Sequence, residues 1–142
     1  MPKPTKSIGI FGGNEFQENC LEIDREFCNL SSINESKVLI LPTAAANENP
    51  ELAACNGVTH FNKIGIKASA LNLINKNQSN DRCFLKPINE SSVIYLTGGN
   101  PRYLNTILQN SKAIIEIKKA LSRGSILIGS SAGAMVMGKY ML

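Results

Sequence analysis

Ser125-Ile126-Leu127-Ile128-Gly129-Ser130-Ser131-Ala132-Gly133-Ala134 decides how this chain is read. The apolar run Ile126-Leu127-Ile128 has the character of a buried strand. It leads into Gly129-Ser130-Ser131-Ala132-Gly133, a G-x-S-x-G, and the small residues after it can open a helix. Strand, tight turn and helix in that order are the setting of a nucleophile elbow. The reason is steric. The residue on the turn is held in strained backbone, and glycine on either side lets the chain close without Cβ clashes. Ser131 Oγ would then project above the sheet at a helix N-terminus, whose positive end favours negative charge developing beside it. With Gly and Ser each near ~7% of residues, the pattern arises by chance in about one chain in twenty of this length. Its weight therefore comes from its flanks. The motif alone leaves open a plain Gly/Ser turn with no chemistry.

Working outward, short β-rich runs recur at residues 7–11, 37–41, 66–73, 93–97 and 125–129. Most are continuously apolar, as expected of strands buried on both faces of a parallel sheet. Helical patterns lie between them. Cys20, Ile23, Phe27 and Leu30 form one apolar stripe. Asn49-Pro50-Glu51 is a start signal, with Asn as cap, Pro at the first helical position and Glu on the positive end of the dipole. The helix it opens carries Ala54, Val58 and Phe61 on one face and stops near Gly65. Asn100-Pro101 repeats the signal before Leu104, Ile107 and Leu108. Ser111 can cap a helix bearing Ile114, Ile117 and Leu121, closed by Gly124. Residues 75–92 are the least legible and are allowed one short helix. The alternation predicts an α/β fold, a doubly wound, mostly parallel sheet. Function in such sheets sits beyond the carboxyl ends of the strands. The loops that matter are then Gly12-Gly13-Asn14-Glu15, Pro42-Thr43-Ala44-Ala45-Ala46, Gly98-Gly99-Asn100-Pro101 and the elbow itself.

Composition narrows the function classes. The chain has 142 residues, 43% of them hydrophobic, which suits one domain over residues 1–142 with a sizeable core. Its net charge of +4 comes from 15 Lys and Arg against 11 Asp and Glu, scattered along the chain, with 6% aromatics and no Trp. That is a solvated surface rather than the basic stripe of a nucleic-acid binder. No apolar run approaches the ~18 residues of a membrane span. The basic start is followed only by Ile8-Gly9-Ile10-Phe11, too short for a signal peptide, so a cytoplasmic location is expected. Cys20, Cys28, Cys55 and Cys83 contain no C-x-x-C, and a single His60 cannot complete a zinc set. They read as buried free thiols, with no metal and no cofactor expected.

Gly98-Gly99-Asn100 accounts for itself as a turn and helix cap. Its two glycines also leave backbone N–H groups open to a ligand. Acyl transfer needs two donors aimed at the developing oxyanion. The N–H of Ala132 is one candidate and that of Gly99 is the natural second.

Taken in order, Ile8-Gly9-Ile10-Phe11-Gly12-Gly13-Asn14-Glu15-Phe16, Leu41-Pro42-Thr43-Ala44-Ala45, Gly98-Gly99-Asn100 and Gly129-Ser130-Ser131-Ala132-Gly133-Ala134 resemble the S51 peptidases. These are the cyanophycinase and dipeptidase E relatives, within the class I glutamine-amidotransferase-like superfamily. The resemblance runs from about Ser7 to Leu142. It implies a flavodoxin-like sheet, Ser131 as nucleophile, Gly99 and Ala132 as oxyanion-hole amides, and Asn100 supporting that loop on the substrate side. It also implies a small peptide or isopeptide as substrate. The family's catalytic His and its acidic partner lie downstream of the nucleophile. Here only Met135 to Leu142 follow the elbow, with neither His nor acid. A serine at its free pKa is a weak nucleophile without a base. His60 falls about ten residues into its helix, roughly 15 Å below the active edge at 1.5 Å per residue, so it is read as a helix-surface or satisfied packing residue. Glu15 lies near the pocket rim, either as an ordinary first-turn helix residue or as a contact for a substrate amine or guanidinium.

The leading expectation is the N-terminal portion of a serine hydrolase, incomplete at its C-terminus and inert alone. Its uncovered strand edge would invite self-association. The alternative is a non-catalytic binding module or degenerate fragment of the same fold. Glutamine amidotransfer would need a cysteine where Ser131 stands.

Overall fold

All five predicted strands form, and all their pairings are parallel, in the order β1-β5-β4-β2-β3. They are β1 (Ser7–Phe11), β2 (Lys37–Leu41), β3 (Lys67–Ala70), β4 (Val93–Leu96) and β5 (Ile126–Ser130). Among the described residues six α-helices connect or follow them: α1 (Leu21–Asn29), α2 (Pro50–Lys63), α3 (Lys86–Glu90), α4 (Pro101–Leu108), α5 (Lys112–Arg123) and α6 (Ala132–Met135). The computed structural model describes residues 7–33 and 35–139.

The pleat of the three inner strands divides the core in two. Val38, Ile40, Val93, Tyr95, Ile126 and Ile128 point to one face, where α1 and α2 supply Cys28 and Phe61. Leu39, Leu41, Ile94, Leu96 and Leu127 point to the other, where Ile88, Leu104, Ile107 and Ile117 come from α3, α4 and α5. Helices thus cover both faces, as expected of a doubly wound α/β sheet.

The capping signals work as the residues suggest. Asn49 Oδ1 accepts Leu52 N–H at 3.1 Å, Asn100 Oδ1 accepts Tyr103 N–H at 3.0 Å, and Ser111 Oγ accepts Ile114 N–H at 3.2 Å. Gly124, at φ 106°, ends α5 in the left-handed region that glycine tolerates. Residues 75–92 hold the one short α-helix, α3, preceded by a 3-10 turn at Gln78–Asn80.

Three expectations need correction. Burial on both faces holds for β2, β4 and β5 but not at the edges. On β1, Ile8 is 52% and Ile10 67% exposed, and β3 is mostly exposed and shorter than residues 66–73. The buried stripe of α1 is also rotated. Ile23 and Leu30 face solvent, and Asp24 and Cys28 face the core. Finally, of the four cysteines, all free thiols, only Cys28 is buried; Cys55 and Cys83 are exposed.

Strand order places the site. From β2 the chain steps outward to β3, then returns past β2 to β4. The connections diverge between β2 and β4, which opens a crevice at their carboxyl ends. The loops after β2 and β4 meet there.

Candidate active site

Ser131 stands alone between β5 and α6 with φ 50° and ψ −109°, an unfavourable backbone for a residue with a side chain. The turn is held at both ends: Ser131 N–H donates to Phe11 O at the end of β1, and Met135 N–H donates to Ser131 O, each at 2.9 Å. The flanking glycines are there for contact. A Cβ on Gly129 would meet Gly133 backbone at 2.5 Å, and one on Gly133 would meet Leu96 O at 2.2 Å. The elbow therefore presses against β4 so closely that only hydrogen fits. The Ser131 residue itself is exposed at the carboxyl edge.

The Gly98-Gly99-Asn100 loop lies beside it. A Cβ on Gly98 would stand 3.5 Å from Ser131 Cβ. Gly99, at φ 141°, packs so tightly on the loop after β2 that a Cβ would reach Ala44 O at 2.2 Å. Asn100 N–H donates to that same oxygen at 2.7 Å. Gly98 N–H donates to Glu15 Oε1 at 2.9 Å. Between these two engaged amides, the Gly99 N–H has no acceptor among the described residues. Ala132 occupies the first position of α6, where an N–H has no intrahelical partner. The amides singled out from sequence thus belong to the two loops that the fold brings together. Asn100 supports the loop through its own N–H and spends its side chain capping α4.

Gly98, Gly99 and Ser131 border a cleft of about 400 Å³, lined also by Glu15, Ala45 and Glu48 among others. A larger, more apolar groove of about 770 Å³ runs between Ile8, Leu108, Ile115, Leu121 and Met137. It shares no residue with the Ser131 cleft.

Glu15 is not in a helix; it precedes the 3-10 turn Glu18–Cys20. It lines the cleft, but both carboxylate oxygens are engaged: Oε1 by Gly98, and Oε2 by the Ser130 hydroxyl at 2.7 Å. Nothing local in the sequence announces these bonds, whose partners lie 83 and 115 residues away.

His60 takes the packing role. Its Nε2 lies 2.7 Å from Asp24 Oδ2, both side chains are buried, and the ring contacts Phe16 and Phe61. It does not line the Ser131 cleft. Burial pushes the Asp24 carboxyl above its ordinary value, although His60 pulls the other way. Burial, followed by the nearby Asp24 charge, raises the Cys28 thiol to about 12 and keeps it protonated. The Tyr95 phenol is also pushed up by burial and, secondarily, by the charges of Asp24 and Glu15. The sequence concealed the Asp24–His60 pair because Asp24 looks like a surface residue of α1. No group of His, Cys, Asp or Glu among the described residues is arranged to hold a metal, and no helix there is long and apolar enough to cross a membrane.

Known proteins resemble this chain in sequence and fold. The chain is 25% identical over 138 residues to a cyanophycinase of Geminocystis herdmanii, covering 96% of this chain and 50% of that protein. It is 26% identical over 144 residues to a cyanophycinase of Trichormus variabilis, covering 99% and 48%. The chain thus spans about half the length of these curated relatives. Among solved structures, a peptidase from an acI-B1 Actinobacterium superposes with a TM-score of 0.87 at 26% identity, covering 94% of this chain and 57% of that one. A putative peptidase E protein of Listeria monocytogenes, at 21% identity and a TM-score of 0.66 over 92% and 60%, shares the fold. The profile of Peptidase family S51 matches residues 9–142, and on that match the chain belongs to peptidase family S51.

Proposed function

We propose that this chain carries the nucleophile half of a serine-type peptidase site that cleaves peptide or isopeptide bonds. The observation that carries the reading is the strained Ser131, exposed at the N-terminus of α6 beside Gly98, in a cleft that Gly99 also lines. Ser131 Oγ attacks the carbonyl carbon and its proton passes to a base. The carbonyl oxygen becomes an oxyanion held by the Gly99 and Ala132 N–H groups. The amine then leaves with a proton and the acyl group stays on Ser131 until water releases it. Asn100 keeps the Gly99 loop seated on Ala44. In this reading Glu15 borders the substrate through a carboxylate already committed to the protein.

The one histidine, His60, is paired with Asp24 and is not among the residues lining the Ser131 cleft, which supports a histidine base that comes from elsewhere. We therefore expect the chain alone to be close to inert, with the His and its acidic partner supplied from outside these residues. Joining residues 1–142 to the remaining half of the Geminocystis herdmanii cyanophycinase tests this. The chimera should hydrolyse β-aspartyl dipeptides, and Ser131→Ala should lower kcat by about a thousandfold or more. Turnover indifferent to Ser131→Ala would sink the serine reading. Turnover by the unjoined chain would sink the claim that its base lies elsewhere.

The committed histidine favours one other reading, a binding module that keeps the cleft without turnover. A folded, inactive chimera that still binds the dipeptides would support it. Both readings share a reducing, cytoplasmic setting, supported by four free thiols. Both take a small peptide rather than nucleic acid or a bilayer as partner. The outer edge of β1, with Ile8 and Ile10 exposed, is where a second copy would pair.

A further inference from the structure

Four non-glycine residues among the described ones adopt left-handed backbone: Asn14, Phe16, Asn110 and Ser131. Three of them converge on one spot. Asn14, at φ 55°, and Phe16, at φ 66°, flank Glu15, while Ser131, at φ 50°, lines the same cleft as Glu15. Asparagine tolerates that region, but a bulky aromatic does so only when its surroundings compel it. Here the compulsion is visible. The Phe16 ring is wedged against Tyr95, His60 and Phe61, with centroids 4.8, 5.6 and 6.4 Å away. The loop is pinned in the core on one side of Glu15 and aims that carboxylate into the strand ends on the other.

What it reaches is specific. Gly98 and Ser130 are the chain neighbours of Gly99 and Ser131. Because β5 lies between β1 and β4, one carboxylate from the loop after β1 spans the end of β5 to reach the loop after β4. Its two bonds, at 2.9 and 2.7 Å, are of the short, charge-assisted kind when the carboxylate is ionised. By taking the Gly98 N–H, it also leaves Gly99 as the donor of that loop which remains open.

We propose that Glu15 is a positioning residue of the active site, a clamp that fixes the spacing between Ser131 Oγ and the Gly99 N–H without touching the reacting atoms. This rests on the serine-nucleophile reading for its catalytic meaning, but the clamp itself is measurable without turnover. In the 142-residue chain labelled with 15N, Glu15→Ala should shift the Gly98 amide proton upfield and speed its exchange by about tenfold or more, with Gly99 and Ser131 resonances moving too. Glu15→Gln should restore the wild-type pattern, because its carbonyl can accept from Gly98 while its amide donates to a rotated Ser130 hydroxyl. Ser130→Ala, which removes one anchor, should give an intermediate shift at Gly99.

In the chimera, Glu15→Ala should lower kcat about tenfold or more with KM within about threefold, and Glu15→Gln should recover most of the loss. A purely structural role would not separate kcat from KM in a variant assayed well below its melting temperature. A Gly98 amide indifferent to Glu15→Ala, or a kcat that Glu15→Ala leaves unchanged, overturns the proposal alone. A chimera indifferent to Ser131→Ala overturns the serine reading instead.

Discussion

Asp24 and Glu15 are both acids that the fold turns inward, and their surroundings give them different work. Asp24 comes from α1 and meets His60 from α2 inside the aromatic core, with both side chains at most 3% exposed. One of its oxygens, Oδ1, finds no partner among the described residues. Glu15 sits at the strand ends, partly open to the cleft, and both of its oxygens are bonded to the two loops that build it. By residue type, Asp24–His60 looks like two-thirds of a catalytic triad. By position it is a joint between two helices. Glu15 bonds to the two loops that carry Gly99 and Ser131, and is the acid proposed above to hold the site together. Location relative to the strand ends decides between them.

The largest expected effect breaks the first half of that comparison. Asp24→Ala leaves His60 buried without its partner and should destabilise the fold by about 3–5 kcal/mol, measured by urea denaturation. Glu15→Ala, which removes two bonds at a wetter site, should cost about 1–3 kcal/mol. Equal losses would mean that the two acids are both structural joints.

Next comes the packing that holds the cleft's shape. Gly99→Ala places a methyl group 2.2 Å from Ala44 O, at a φ that side chains avoid. The loop must move, at a cost of about 2–3 kcal/mol. Loss of the Asn100-to-Ala44 hydrogen bond, read from amide exchange at Asn100, should accompany it. An unmoved Asn100 amide would show that the loops after β2 and β4 are not seated on each other as described.

Smaller, and of opposite sign, is Ser131→Gly. It relieves the strained backbone at φ 50° and should raise stability by about 1–2 kcal/mol. A site that stores strain for its nucleophile gains stability when the side chain is removed. A loss on this substitution would argue that Ser131 is an ordinary turn residue.

What the sequence disclosed follows the range of the interactions. Caps at Asn49, Asn100 and Ser111 and the stop at Gly124 are formed by groups a few residues apart, and all four appear where their residues placed them. The elbow is equally local, so the strained turn at Ser131 was legible. The rotated stripe of α1 was not. Asp24 can face the core only because His60 lies opposite it, 36 residues on. The exposure of β1 and β3 depends on which strands end up at the edges, and strand order is not a local property. Glu15 was legible as an acid near the pocket, but its bonds to Gly98 and Ser130 exist only after the sheet has assembled in the order β1-β5-β4.

The smallest effect tests the electrostatics of the Asp24 region. Cys28 lies in the same core, and its thiol is raised from 9.0 to about 12, by burial first and by the Asp24 charge second. Below about pH 8 the thiol is protonated in both folded and unfolded chains and adds almost no pH dependence. As pH rises through 9.0 the unfolded chain releases that proton while the folded chain keeps it. The folded state then binds more protons, so stability falls. The loss attributable to Cys28 should reach about 0.8 kcal/mol by pH 9.5, where an ordinary tyrosine is still mostly protonated. It is read as the difference between wild type and Cys28→Ala in denaturation series at pH 8.0, 9.0 and 9.5. In Asp24→Asn the neighbouring charge is gone, so the thiol's pKa should drop while remaining above 9, because burial is the larger cause. The fall up to pH 9.5 should therefore be nearly unchanged, and the two proteins should part only nearer pH 11. A large change already at pH 9.5 would mean that charge, not burial, dominates around Asp24, and the contrast drawn between a dry joint and a wet clamp would fail on its electrostatic side.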